Sequence, residues 1–194
     1  TIKQRGQGWS GSLATYYDRG QKARGYEQVK LNYRTGGLDI FGSGYVTRST
    51  FYGNSTSNNR LEASSIWDMQ NQTLRDRKLD YFYGTLGVNY DFNERHSIGV
   101  RYEPNTLLKN HHNHVYADVI VKKDGEFLEE IKTVQENETK PQWNHSLNGY
   151  YVGSIGKWQV DVNADYYYGQ TETLQTITSN GAEAAESTSK VRNY

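Results

Sequence analysis

The sequence predicts an all-β chain: an antiparallel up-and-down meander of seven or eight strands, built like part of a transmembrane β-barrel. Three observations predict it. Apolar residues recur with period two in segment after segment, while helical periodicity hardly occurs. Tyrosine is abundant, with 17 residues, and proline scarce, with 2; aromatic side chains favour a pleated surface, and proline cannot donate to a ladder. Short turns also alternate with long polar stretches, the asymmetry of barrels that have short periplasmic turns and longer extracellular loops.

Taken in order, residues 9–17 hold Trp9, Leu13 and Tyr17 in phase. Residues 26–34 set Val29, Leu31 and Tyr33 against Gln28, Lys30, Asn32 and Arg34. Residues 38–47 keep Leu38, Ile40 and Val46 in phase, with Gly42 and Gly44 weakening the pattern. The clearest strand is 80–92, where Phe82, Gly84, Leu86, Val88, Tyr90 and Phe92 oppose Tyr81, Tyr83, Thr85, Gly87, Asn89 and Asp91. Residues 97–103 place Ile98, Val100 and Tyr102 opposite Gly99, Arg101 and Glu103. Residues 144–152 are less regular, with Leu147 and Tyr151 on the apolar side. Residues 158–168 set Trp158, Val160, Val162, Ala164, Tyr166 and Tyr168 against Gln159, Asp161, Asn163, Asp165 and Tyr167. Each segment is close to the ~9–11 residues that a tilted strand needs to cross a bilayer.

Tight turns are expected at 35–37, 93–96 and 153–157, all on the periplasmic side. Between them lie long polar stretches at 48–78, 104–143 and 169 onward, with an intermediate loop at 18–25. A compact soluble domain rarely carries several structureless loops of that length. Within the second stretch, alternation resumes on both sides of Lys123-Asp124-Gly125-Glu126, so an extracellular hairpin is expected over 115–133. Residues 169–191, polar and rich in Ala, Glu, Ser and Thr toward their end, are expected to form a mobile loop leading into a further strand. The whole of 1–194 is taken as one partial barrel domain.

Composition removes other classes. There is no cysteine, hence no disulfide, thiolate site or thiol nucleophile. With 22 basic and 22 acidic residues the net charge is zero, so no long-range field attracts nucleic acid. No apolar run approaches a transmembrane helix, and residues 1–8 lack a signal-peptide core. Mean hydropathy is −0.91, low for a chain that must bury a core.

An exposed amide in hydrocarbon costs several kcal/mol, so only helices or closed sheets span a membrane. Alternation alone leaves a half-apolar strand free to face lipid or a sandwich core. Aromatics near strand ends favour lipid, where interfacial girdles place them. The residues expected to face lipid or form the girdles are Trp9, Leu13, Tyr33, Leu86, Val88, Tyr90, Phe92, Val100, Trp158, Val160, Val162 and Tyr166. Those expected to face the lumen are Tyr81, Tyr83, Asn89, Arg101, Asp161, Asp165 and Tyr167.

The stretch 31–42, LNYRTGGLDIFG, resembles an early hairpin of the Bacteroidetes TonB-dependent receptor-like proteins of the outer membrane β-barrel family. Residues 88–100, VNYDFNERHSIGV, look like the next hairpin, and 144–148 followed by 155–158 and 161–168 like a third, in the expected order. The resemblance implies an energised nutrient transporter in the bacterial outer membrane. Its barrel would have about 22 strands, enclose a plug and couple to the TonB complex. It further implies that this chain is a barrel fragment, with residues 1–7 just after the plug. The implied partners are outer-membrane lipid, the TonB complex through other parts of the parent protein, and a small-molecule or glycan substrate.

Candidate chemistry is sparse. His111, His112 and His114 are the one cluster of metal-ligating character; imidazole suits zinc, copper or nickel, but no further ligand follows at a recognised spacing, so a solvated loop is the preferred reading. Glu129-Glu130 and Asp161 with Asp165 are carboxylate pairs without the burial that glycosidase chemistry needs. Sequons at Asn54, Asn71 and Asn137 are accidental matches in a bacterial setting. Tyr81, Tyr83, Tyr150 and Tyr167 could stack on sugars, though packing within a lumen is the simpler account. No enzyme activity and no cofactor are expected. The rival class is a soluble or surface-exposed β-sandwich that binds glycans or acts as an adhesin.

Overall fold

In a computed structural model, which describes residues 6–194, the chain is all β and antiparallel. The ten strands are β1 (Gly8–Arg19), β2 (Ala23–Thr35), β3 (Leu38–Glu62), β4 (Ile66–Asn93), β5 (His96–Leu107), β6 (His111–Lys123), β7 (Glu126–Thr139), β8 (Asn144–Ile155), β9 (Trp158–Ser179) and β10 (Ala182–Asn193). The expected position of residues 1–7 after a plug falls largely on residues outside those described.

All ten strands belong to one sheet. β1, β2, β3 and β4 pair in chain order. The C-terminal part of β4 pairs with β5 and its N-terminal part with β6. β9 likewise pairs with β8 through its first half and with β7 and β10 through its second. β5 and β6 are thus one ascending pass with a break at 108–110, and β7 and β8 one descending pass with a break at 140–143. The ladder bridges both breaks, because Leu108 N–H donates to Asp80 O at 2.8 Å and Lys140 N–H to Glu172 O at 3.0 Å. Ten strands therefore make eight passes of an up-and-down meander.

The turns at one end sit at 36–37, 94–95 and 156–157, within the short connections read from the sequence. The long polar loops are corrected. Residues 48–62 and 66–78 are one continuous ladder from Arg48↔Asp80 to Glu62↔Ile66. Residues 169–191, expected as a mobile loop, form the second half of β9 and most of β10. The intermediate loop at 18–25 shrinks to 20–22. The reason is compositional: Ser, Thr, Asn and Gln on both faces carry no apolar alternation, yet these segments still pair along a neighbouring strand.

Two far-end turns show how the passes close. Asp124 and Gly125 both have positive φ (51° and 87°), as do Asn180 and Gly181 (50° and 81°). Both are two-residue turns whose twist matches that of the flanking strands. They join β6 to β7 and β9 to β10.

The sheet has a single layer. Val121 is the one buried hydrophobic side chain among the described residues, while Trp9 is 76% exposed and Trp158 69%. The hydrophobic residues are therefore segregated by face rather than gathered into a core.

Candidate functional site

Side chains directly opposite in a ladder share a face, so the register assigns every strand. Starting from Trp9↔Tyr33, Leu13↔Val29 and Gly11↔Leu31, one face runs through Tyr33↔Ile40 and Leu31↔Gly42. It continues through Leu38↔Tyr90, Ile40↔Val88, Gly42↔Leu86 and Val46↔Phe82. Tyr90↔Ile98, Val88↔Val100 and Leu86↔Tyr102 carry it onto β5, and Ile98↔Tyr151 and Tyr102↔Leu147 onto β8. Tyr151↔Val162, Gly153↔Val160, Leu147↔Tyr166 and Ile155↔Trp158 complete it on β9. Phe92 lies in a register shift but keeps to this face, its ring 5.0 Å from that of Tyr90 in an edge arrangement.

This apolar face spans Phe82 to Phe92 on β4, about 33 Å of strand at ~3.3 Å per residue. At the ~40° tilt of membrane barrels, that is roughly 25 Å of height, the usual apolar band. Glu27, in the uppermost row beside Val46, is a lone carboxylate within the band. Aromatic side chains bound it at both ends. At one end, Trp9 packs on Tyr33 with ring centroids 4.8 Å apart, and Tyr90, Phe92 and Trp158 lie close to the turns at 94–95 and 156–157. At the other, Phe82, Trp143, His145 and Tyr168 form a row with neighbouring centroids 5.9–6.4 Å apart. Tyr102 joins that row, its hydroxyl 2.6 Å from His145 Nδ1.

The opposite face is polar and cross-linked. Asn89, Tyr150 and Asn163 share one register line, and Arg101, Asn148 and Asp165 the next. Tyr150 donates to Asn89 Oδ1 at 3.1 Å, and Asn148 Nδ2 to Asn163 Oδ1 and Asp165 Oδ1 at 2.8 and 2.7 Å. Tyr83 donates to Glu103 at 2.5 Å, and Arg101 lies 3.6 Å from the same carboxylate. Glycine makes room for rings here. A Cβ on Gly87 would stand 2.1 Å from Phe41, and one on Gly99 2.3 Å from Tyr150.

Every residue expected to face lipid lies on the apolar face. Tyr81, Tyr83, Asn89, Arg101, Asp161, Asp165 and Tyr167 all lie on the polar one. His112 and His114 share a face, while His111 stands on the other, its ring nitrogen 2.6 Å from Lys78 O. Trp143 and His145 were not singled out by the sequence, since they sit at the β7–β8 break, where alternation is interrupted.

Above the aromatic row the sheet continues with charge on the same side. Glu172 accepts from Lys140 at 2.6 Å and lies 3.2 Å from Lys190, and these cations hold its carboxyl below the ordinary value. From Arg48 to Glu62, β3 extends about 45 Å farther along its own axis.

No family model matches the chain, and no curated protein matches it.

Proposed function

We propose that the chain forms part of the wall of a bacterial outer-membrane β-barrel, with one face against lipid and the other against a wet lumen. The supporting observation is the apolar face. It runs across β1–β5, β8 and β9 with Glu27 as its one carboxylate, is about one bilayer core high, is edged by aromatics, and belongs to a sheet with no second layer. The strand continuations beyond the band supply an extracellular vestibule wall. The hairpin resemblance noted in the sequence points to a TonB-dependent receptor for nutrient uptake. In that reading the polar face lines the ligand path, and coupling to TonB belongs to other parts of the parent protein.

Single-tryptophan variants reconstituted with brominated lipids test the reading. Trp9 and Trp158 are expected to be quenched strongly, and Trp67, at the far end of the strand continuations, to be spared. In a sandwich, Trp9 and Trp158 would be buried against a second sheet and remain insensitive; that result would overturn the proposal.

A further inference from the structure

On β6 and β7 the register brings four metal-ligating side chains onto one face. His112 pairs with Glu138 and His114 with Glu136. Two imidazoles, two residues apart on one strand, thus face two carboxylates similarly spaced on the next. The imidazole centroids are 6.1 Å apart, and His114 Nε2 is 4.0 Å from Glu136 Oε1. Directly opposed Cβ atoms lie about 5 Å apart, and residues two apart on a strand about 6.6 Å, so the four side chains start from the corners of a small rectangle. Among the described residues no three such side chains yet converge on a point. His114 and Glu136 are 33% and 56% exposed, so neither side chain is locked in place by packing.

The surroundings set the charge. Lys78 faces His112 from β4, and Asp76 faces His114 but is ion-paired with Lys22. Glu138 accepts a hydrogen bond from Asn110, while Leu174 and Thr176 flank the carboxylates from β9. Two carboxylates outweigh the Lys78 ammonium. Two neutral imidazoles with carboxylate oxygens suit zinc and the late first-row ions rather than magnesium or calcium, which take oxygen alone.

We propose that His112, His114, Glu136 and Glu138 bind one divalent transition-metal ion, with zinc as the reference ligand. The site is independent of the membrane assignment, because it depends only on the β6–β7 register.

Calorimetric titration of zinc chloride into the full chain, folded in detergent, tests it. One equivalent should bind with micromolar affinity or better. His114→Ala and Glu136→Gln should each weaken binding by roughly tenfold or more, whereas His111→Ala, on the opposite face, should leave it unchanged. Because all three positions lie on strands at the sheet surface, a circular dichroism spectrum checks that the variants keep the ladder. Absence of saturable binding below millimolar zinc would overturn the proposal, as would an equal loss in His111→Ala and His114→Ala.

Discussion

Asn180 and the backbone of Lys132 exchange two hydrogen bonds. The Asn180 N–H donates to Lys132 O at 2.7 Å, and the Lys132 N–H donates to Asn180 Oδ1 at 2.8 Å. A turn residue thereby anchors the tip of the β9–β10 hairpin to the adjacent β7. Asp124 does the same to Ile66, at 2.7 and 2.8 Å.

Asn180→Gly keeps the left-handed turn and deletes the side-chain acceptor. The expected loss is about 1 kcal/mol, confined to the outer ends of β9 and β10. Native-state hydrogen exchange should show faster exchange at Lys132 and near 176–186, with 158–168 unchanged.

The Asn180-Gly181 and Asp124-Gly125 pairs also mark what the sequence can and cannot disclose. Both are strong hairpin signals, yet only Asp124-Gly125 sits between alternating segments that invite a strand assignment. Around Asn180 the flanks carry Thr, Ser, Gln, Ala and Glu on both faces, so period two has nothing to register. The lower halves were legible because one face is apolar and the other polar, as Val88 and Asn89 show side by side. Above Arg48 and Asp80 that contrast ends, and only the backbone ladder records the strand. The His112–Glu138 and His114–Glu136 juxtapositions were unreadable for a further reason, since they depend on register across a hairpin.

Gly99 lies under the ring of Tyr150, and a Cβ there would stand 2.3 Å from it. Gly99→Ala should cost about 1–3 kcal/mol, and Tyr150→Ala should relieve much of that. A double-mutant cycle by urea unfolding from lipid should show coupling between the two sites. Strict additivity would count against the packing.

Val88 and Asn89 are neighbours in sequence on opposite faces. On the proposed membrane reading, Val88→Arg should destabilise the lipid-reconstituted protein by about 2–4 kcal/mol, as for a cation facing mid-bilayer hydrocarbon. Asn89→Arg should cost much less, since the same reading turns its polar face to a wet lumen. Denaturant midpoints of the two variants in the same liposomes make the comparison.

Glu172 carries a lowered pKa because Lys140 and Lys190 bond its carboxylate. A depressed acid stabilises above its unfolded value, 4.5, and loses that contribution as pH falls through the lower folded value. Carboxyl carbon NMR should place its titration below 4.5, and Lys140→Ala should move it upward.

The absence of cysteine makes the central claim directly measurable. Single cysteines at Leu13, Val88 and Val162, and at Asn89 and Asn163, can be spin-labelled in the reconstituted chain. Their accessibility to oxygen and to a polar nickel chelate can then be compared. A lipid-facing apolar side predicts oxygen-favoured labels at the first three sites and chelate-favoured labels at the last two. Labels at Leu13, Val88 and Val162 shielded from both reagents would contradict it, because that is the signature of a face covered by protein.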